Sequence, residues 1–196
     1  MFNLTIFYSV GSPIGQENLV DTLSTWGPSY RIFIELYINS FTVANMAKGK
    51  WAEILRFTST DNNCCNIGDR IPAIFTNKNG FIAIKTQIGN KGNQFKAVPL
   101  EKETWYSLEL LQYEWNNKVV IMYIYLIWYV TYYLCFQFFF EIILDGEILE
   151  KYENENPLSF NNVKVWAAKT KHGFPAADAF IGDFVYENIG IVSKNI

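Results

Sequence analysis

The chain has 196 residues, half of them hydrophobic, and a formal net charge of −3. It carries 16 Phe, 12 Tyr and 6 Trp but only 18% charged residues, which excludes a disordered chain, since such chains are poor in aromatic residues and rich in charge. The lack of a basic excess argues against nucleic-acid binding through the phosphates. With a single histidine, His172, a histidine-dependent triad or a multi-histidine metal site is not expected. The composition favours an aromatic-rich β protein or a membrane-associated chain.

The first 29 residues carry a weaker pattern than the rest of the chain. Residues 1–13 begin with apolar side chains but lack the basic region and the length of a secretory signal peptide. Gln16 to Trp26 is the one candidate for a short turn of helix. We therefore assign residues 1–29 to an N-terminal segment, which either precedes the domain or supplies its first strand.

From Tyr30 onward, apolar and polar residues alternate in a series of short segments separated by turn sequences such as Asn79-Gly80 and Asp145-Gly146. Alternation with a period of two is typical of half-buried strands. About nine to eleven such strands predict an all-β antiparallel sandwich, a jelly roll, over residues 30–190. The clearest segments are 30–39, 80–89, 105–115 and 162–168.

The alternation also selects a core. A register slip of one residue would bury Glu35, Lys85 and Glu109, so the opposite, apolar set should point between the two sheets. Its nine members are Ile32, Ile34, Leu36, Ile82, Ile84, Leu108, Leu110, Val163 and Val165.

One segment departs from this pattern. Residues 119–140 carry no formal charge and are long enough to cross a bilayer as a helix. However, Tyr runs through the whole segment, whereas Tyr and Trp usually lie at the membrane edges, and the flanking strands would end on opposite sides. Without residues 119–137 the remaining sequence predicts a strand, an Asn-Asn turn and a second strand. The codon of Val119 begins with GT and that of Gln137 can be CAG, as at the two ends of an intron.

Three interpretations of this hydrophobic insertion therefore stay open. Residues 119–137 are translated from a retained intron, which is the interpretation we favour, or they are a genuine insertion in the fold. In the third, residues 119–140 span a membrane and anchor the protein.

The order of several phrases resembles that of the concanavalin A-like lectin and laminin G-type domains, over roughly Tyr30 to Ile189. These phrases are GDRIPAIFTNKNGFIAIKTQIGN, LEKETWYSLELLQYE, FEIILDGEIL, NVKVWAA and PAADAFIGDFVYENI. The resemblance implies a jelly roll of two antiparallel sheets that acts outside the cell as a recognition module. Its expected partner is a glycan or an extracellular protein, sometimes with a bound calcium ion.

Two features of related proteins are missing. The glucan hydrolases of this superfamily carry three alternating acidic residues on one strand, whereas Glu141, Asp145 and Glu147 are spaced across a turn and cannot form that row. The sugar-binding histidine of galectins is absent, since His172 lies in a late Gly-Pro loop. We therefore expect no catalytic residues, and a remote glucanase-like enzyme is the alternative function.

The loop from Asp61 to Arg70 has the most unusual local sequence. Asp61, Asn63 and Asp69 offer oxygen ligands of the kind that calcium takes, although their spacing does not match an EF-hand. The same three residues and Arg70 are candidate ligand contacts. The alternative is an ordinary hydrogen-bonded loop between strands.

Cys64 and Cys65 are adjacent within this loop. They either close a strained vicinal disulfide, stay as free thiols or bridge to another chain, and they show no zinc-binding spacing.

Exposed aromatic rings are the remaining candidates for ligand contacts, because the apolar face of a sugar stacks on such rings. Trp105 and Trp166 are the candidates we select, and packing on a sheet is the alternative for each.

Overall fold

In the computed structural model the described residues are 4–7, 12–14, 18–43, 51–62, 66–88, 91–119, 133–168 and 174–189. For residues 4–7, 12–13, 91–97, 116–119 and 133–136 the description covers the backbone alone. Asn63, Cys64, Cys65 and His172 lie outside the described residues, so the predictions made for them stay predictions.

The described chain is all β. Its strands are β1 (Leu4–Phe7), β2 (Ser12–Pro13), β3 (Asn18–Trp26), β4 (Tyr30–Ser40), β5 (Trp51–Thr58), β6 (Ala73–Asn77), β7 (Phe81–Ile88), β8 (Lys91–Pro99), β9 (Trp105–Val119), β10 (Tyr133–Leu144), β11 (Glu147–Glu153), β12 (Phe160–Ala167) and β13 (Asp178–Asn188).

The strands form two antiparallel sheets. The seven-stranded sheet has the order β1-β13-β4-β9-β10-β11, with β2 also paired to β13, and the six-stranded sheet has the order β3-β12-β5-β6-β7-β8. The chain crosses repeatedly between the two sheets, as a jelly roll requires. The predicted antiparallel β-sandwich is thus confirmed.

The core lies between the sheets, where the alternation predicts it. All nine selected apolar side chains are at most 1% exposed. Trp26 closes one part of this core, because its ring stacks on that of Tyr186 at 4.9 Å and lies 4.4 Å from that of Tyr30. The inward-facing residues of both sheets therefore build one hydrophobic cluster.

The segment from Gln16 to Trp26 differs from its sequence-based prediction. Leu19, Leu23 and Trp26 have helical spacing, but Asn18–Trp26 is strand β3 and pairs with β12. Leu19 is 46% exposed, so the helical stripe is not buried as a unit. Hydrogen bonding to β12 and burial of Leu23 and Trp26 decide the conformation instead of local spacing.

The ends of the hydrophobic insertion lie in a two-stranded extension of the seven-stranded sheet. Pairing of β9 with β4 stops at Gln112, and pairing of β10 with β11 starts at Phe139. Beyond these points β9 and β10 pair only with each other, from Glu114↔Phe138 to Val119↔Tyr133. Residues 120–132 lie outside the described residues. In the described part of the chain, no helix is long and apolar enough to span a membrane.

Candidate functional site

The loop that carries the predicted oxygen ligands is held together by its own hydrogen bonds. The Asp69 carboxylate accepts hydrogen bonds from the Thr60 hydroxyl at 2.5 Å and from the Asn66 amide at 2.8 Å. The side chain of Asp61 forms an ion pair with Lys164 of β12. Both carboxylates therefore have protein donors as partners.

The described part of this loop offers two carboxylates, those of Asp61 and Asp69. No group of three His, Cys, Asp or Glu side chains that could hold a metal ion occurs among the residues the structure describes. Calcium takes six to eight oxygen ligands, which include Asn and backbone carbonyl oxygens and water as well as carboxylates. Calcium binding stays a prediction that depends on Asn63.

Arg70, at the end of the same loop, and Trp166 belong to a different environment, the outer face of the six-stranded sheet. Strand register fixes the row of residues on this face, because Trp166 pairs with Arg56, Arg56 with Ala73 and Ala73 with Lys85. With about 4.8 Å between neighbouring strands, the row spans roughly 14 Å. It runs across the middle of the sheet, from β12 to β7.

Three cationic groups converge on one aromatic ring in this region. The guanidinium carbons of Arg70 and Arg56 lie 5.3 and 5.9 Å from the centre of the Phe75 ring, and the Lys85 ammonium lies 5.9 Å from it. We call the set of Glu53, Arg56, Arg70, Phe75, Lys85 and Trp166 the cationic face.

A carboxylate holds one of these cations. Glu53 accepts hydrogen bonds from Arg56 Nε at 3.0 Å and Nη2 at 2.5 Å, a bidentate pair, and both side chains are fully buried. The nearby Asp69 is turned into its own loop. The cluster therefore contains three cations against the carboxylates of Glu53 and Asp69, and its local charge is positive.

Burial and this crowding of positive charges lower the pKa values of two of the cations, Arg70 and Lys85. Burial and then the charge of Arg56 lower the pKa of Arg70 to about 10, against smaller opposing effects of Glu53 and Asp69. Burial and then the charge of Arg70 lower the pKa of Lys85. Both groups would regain favourable interactions from an anion bound beside them.

Aromatic side chains border the cationic face. Phe174 lies over Phe75, with the ring centres 5.2 Å apart, and Trp51 packs against the same small apolar cluster. The backbone after Phe174 docks along β5, because Glu53 N donates to Pro175 O at 2.8 Å and Ala177 N donates to Glu53 O at 2.9 Å. Trp51, Lys85, Trp166 and Phe174 are partly exposed, so a ligand can reach them.

Trp105 is separated from the other predicted contacts, since it lies on the outer face of the seven-stranded sheet. It is 50% exposed and its ring lies 5.3 Å from that of Tyr37, its cross-strand neighbour. The structure thus brings Arg70 and Trp166 together on one face, places Asp61 and Asp69 in the adjoining loop, and puts Trp105 on the opposite side.

The three acidic residues near the β10–β11 turn do not share one environment. The Glu141 carboxylate binds Lys151 at 2.8 Å and accepts a hydrogen bond from the Tyr113 hydroxyl at 2.7 Å. Asp145 is in the turn and accepts a hydrogen bond from the Ser107 amide at 2.8 Å. Glu147 is exposed. Two of the three are held by neighbouring strands.

Sequence reasoning missed Glu53, Arg56 and Lys85. Glu53 and Arg56 are the two charged residues of a mostly apolar strand, WAEILRFT, and that contrast is the signal by which the sequence marks them. Lys85 alternates with the core residues of β7, which marks it as outward-facing. The convergence of these residues could not be read from the sequence, because it depends on the order of β12, β5, β6 and β7.

Comparison with solved structures identifies the fold. The ligand-binding domain of botulinum neurotoxin serotype D, solved in complex with N-acetylneuraminic acid, superposes with a TM-score of 0.54 at 8% identity, over 97% of this chain and 43% of that chain. A heptameric SAP-like pentraxin from Limulus polyphemus gives a TM-score of 0.52 at 10% identity, over 93% of this chain and 75% of that chain.

A third match is galectin LEC-6 of Caenorhabditis elegans, with a TM-score of 0.46 at 10% identity, over 95% of this chain and 96% of that chain. No protein-family model matches the sequence, and no curated protein matches it significantly. The chain has the lectin-like jelly-roll fold of the concanavalin A type, as its sequence resemblance predicts.

Proposed function

We propose that this protein is a non-catalytic recognition module that binds a glycan with an acidic substituent, a carboxylate or a sulfate, on its cationic face. The observation that carries the proposal is the convergence of Arg56, Arg70 and Lys85 on the Phe75 ring. Cations that are partly or fully removed from water repel one another, and a bound anion relieves that repulsion.

The acidic group and the sugar ring of such a ligand contact different residues of the cationic face. The acidic group lies beside Lys85, with Arg70 behind it, while the apolar side of a sugar ring stacks on Trp51, Phe174 or Trp166. Arg56 acts indirectly, since Glu53 already holds its guanidinium. Its charge adds to the positive potential without contacting the ligand.

The fold supports the same function. N-Acetylneuraminic acid, which carries a carboxylate, is the ligand named for the matching neurotoxin domain. Since that likeness is one of fold, it supports recognition of a glycan in general, and the acidic substituent is proposed from the cationic face. The likeness also supports an extracellular location for this module.

The test is binding of the full chain to three sugars that differ in charge: 3′-sialyllactose, a sulfated lactose and lactose. We expect one or both anionic sugars to bind at least tenfold more tightly than lactose, with an affinity that falls as salt is raised. Comparing the carboxylated sugar with the sulfated one identifies the preferred group. Equal binding of lactose, or no binding of either anionic sugar, would contradict the proposal.

A pair of variants tests the location of the site. Lys85→Ala removes a cation from the cationic face, and Lys151→Ala removes one from the outer face of the other sheet. We expect Lys85→Ala to weaken binding of the anionic sugar at least fivefold, and Lys151→Ala to leave it unchanged. Thermal unfolding of both variants shows that each is folded. If the two variants bind equally well, the site is elsewhere.

A further inference from the structure

The outer face of the seven-stranded sheet contains a recess that the proposed function does not use. The recess has a volume of about 290 Å³ and is lined by Glu35, Trp105, Tyr106 and Ser107. Glu35 on β4 pairs with Ser107 on β9, and Trp105 lies two pairs further along the same two strands, where it faces the same side. A carboxylate and a half-exposed indole ring are therefore neighbours at the surface.

A β-bulge in β13 brings these two side chains together. Ile181 pairs with Leu36 and Phe184 with Ile34, so Gly182 and Asp183 both lie opposite Glu35. A Cβ atom at Gly182 would lie 2.8 Å from Glu35 Oε2 and 3.1 Å from Trp105 Cζ3. Because Gly182 has no Cβ atom, the Glu35 carboxylate and the Trp105 indole can both approach its Cα, one from each side.

The charge at this recess is negative. Glu35 and Asp183 are both exposed, and no cation of the described chain pairs with either of them. Two cations among the described side chains of this face are engaged elsewhere. Arg31 binds Glu109 and Glu187, and Lys151 binds Glu141.

We infer that this recess is a second binding site, which takes the guanidinium group of an arginine presented by a partner protein. A guanidinium group is planar, forms two parallel hydrogen bonds to a carboxylate, and stacks on an aromatic ring, most favourably on Trp. Glu35 supplies the carboxylate and Trp105 the ring. Tyr37, 5.3 Å from Trp105, and Phe180 beyond it extend the aromatic surface.

The site is chemically the opposite of the cationic face and lies on the other sheet. It takes a positive group where the cationic face takes a negative one. Arginine binding at the recess can therefore be confirmed or refuted independently of glycan binding at the cationic face.

The test uses three short acetylated and amidated peptides, Gly-Arg-Gly, Gly-Lys-Gly and Gly-citrulline-Gly, at low salt. Citrulline has the shape of arginine without its charge. Binding to the ¹⁵N-labelled full chain is followed at the indole N–H resonance of Trp105, which is assigned by its loss in Trp105→Phe. We expect saturable shifts with the arginine peptide, weaker ones with the lysine peptide and none with the citrulline peptide.

Two variants locate the interaction. Glu35→Gln keeps the size of the side chain and should weaken binding of the arginine peptide about fivefold or more, whereas Glu147→Gln, an exposed acid at the β10–β11 turn, should not change it. Gly182→Ala should weaken it as well, by displacing Glu35 and Trp105. Equal shifts with the citrulline peptide, or unchanged affinity in Glu35→Gln, would overturn the inference.

Discussion

The outer faces of the two sheets handle their charges in different ways. On the seven-stranded sheet several charged side chains form ion pairs at the surface, such as Arg31 with Glu109 at 2.8 Å, where the side chains are 35% and 22% exposed. On the six-stranded sheet Glu53 and Arg56 form their pair with no exposure at all. Water screens the first kind of pair and cannot screen the second.

This difference in exposure determines how much each ion pair matters for the stability of the fold. The surface pairs contribute little stability and leave the seven-stranded face tolerant of change. The buried pair contributes little by being present, but its loss leaves one buried charge without compensation. The cationic face therefore combines a structural pair with Arg70 and Lys85, whose pKa values are lowered by burial and by neighbouring positive charge.

The largest expected effect comes from breaking the buried pair. Glu53→Gln leaves the guanidinium of Arg56 buried without a carboxylate, and we expect a loss of about 3–5 kcal/mol in the free energy of unfolding. Glu109→Gln, the matched change on the other sheet, should cost less than about 1 kcal/mol. Urea unfolding of both variants measures the two values.

A double variant separates the pair from the space it fills. Glu53→Leu combined with Arg56→Met removes both charges and keeps apolar volume, so it should recover most of the stability lost in Glu53→Gln. Similar losses in Glu53→Gln and Glu109→Gln would contradict the comparison, because they would mean that burial does not distinguish the two faces.

A smaller effect distinguishes two lysines through their dependence on pH. Burial and the charge of Arg70 lower the pKa of Lys85 from its ordinary value of 10.5. Burial acts against the charge of Lys151 too, but hydrogen bonds with Glu141 and Tyr113 outweigh it and raise the pKa of Lys151. The two groups should therefore contribute to stability with opposite signs.

The signs follow from proton binding. Between the lowered pKa of Lys85 and 10.5 the unfolded chain holds more protons at this site, so the contribution of Lys85 to stability rises with pH in that window. The contribution of Lys151 is fully present below 10.5 and is lost as the pH rises through its raised pKa.

Unfolding free energies of the parent, Lys85→Met and Lys151→Met at about pH 8 and pH 11 test this. At pH 8 we expect Lys85→Met to be as stable as the parent or slightly more so, and Lys151→Met to be less stable by up to about 1 kcal/mol. Both differences should shrink at pH 11. Two variants that respond to pH in the same direction would be inconsistent with opposite environments.

The smallest effect on stability is expected from removing residues 119–137, because in the described part of this segment β9 and β10 pair only with each other. Glu114 pairs with Phe138, and the deletion leaves residues 115–118 to connect this pair. A four-residue loop is a common length for a β-hairpin, so the register of the remaining strands can be kept. We expect a melting temperature within a few degrees of that of the full chain.

The control for this deletion is a shorter one that removes residues 120–132 alone and keeps the two-stranded extension. If the shorter deletion folds and the longer one does not, residues 119 and 133–137 are needed for the fold. The retained-intron interpretation has its own test, which is a search for a message that lacks these 19 codons.

Much of the fold could be predicted from the sequence because burial follows local alternation. The nine core residues stand at every second position of their strands, so each position reports its own face. The segment from Gln16 to Trp26 could not be predicted in this way. Its partner, β12, lies more than 130 residues away in the chain, and pairing with it overrides helical spacing.

The cationic face was hidden by an irregularity in β5. Strict alternation would put Glu53 and Arg56 on opposite faces, because they are three residues apart. The register of β5 on β6 shifts between Glu53 and Leu55, and this bulge turns both side chains to the same side. Arg70 and Trp166 were selected from the sequence, but the bulge that gives them Arg56 as a neighbour is a tertiary feature.

The most direct test of the cationic face is a titration of the ¹⁵N-labelled full chain with 3′-sialyllactose or the sulfated lactose, followed by the backbone amide resonances. We expect the largest shifts at Phe75, Ala83 and Lys85 of the six-stranded sheet and none at Glu35 or Ser107 of the seven-stranded sheet. Largest shifts at Glu35 and Ser107, or none at Phe75 and Lys85 at saturating sugar, would show that the cationic face does not bind the anionic glycan.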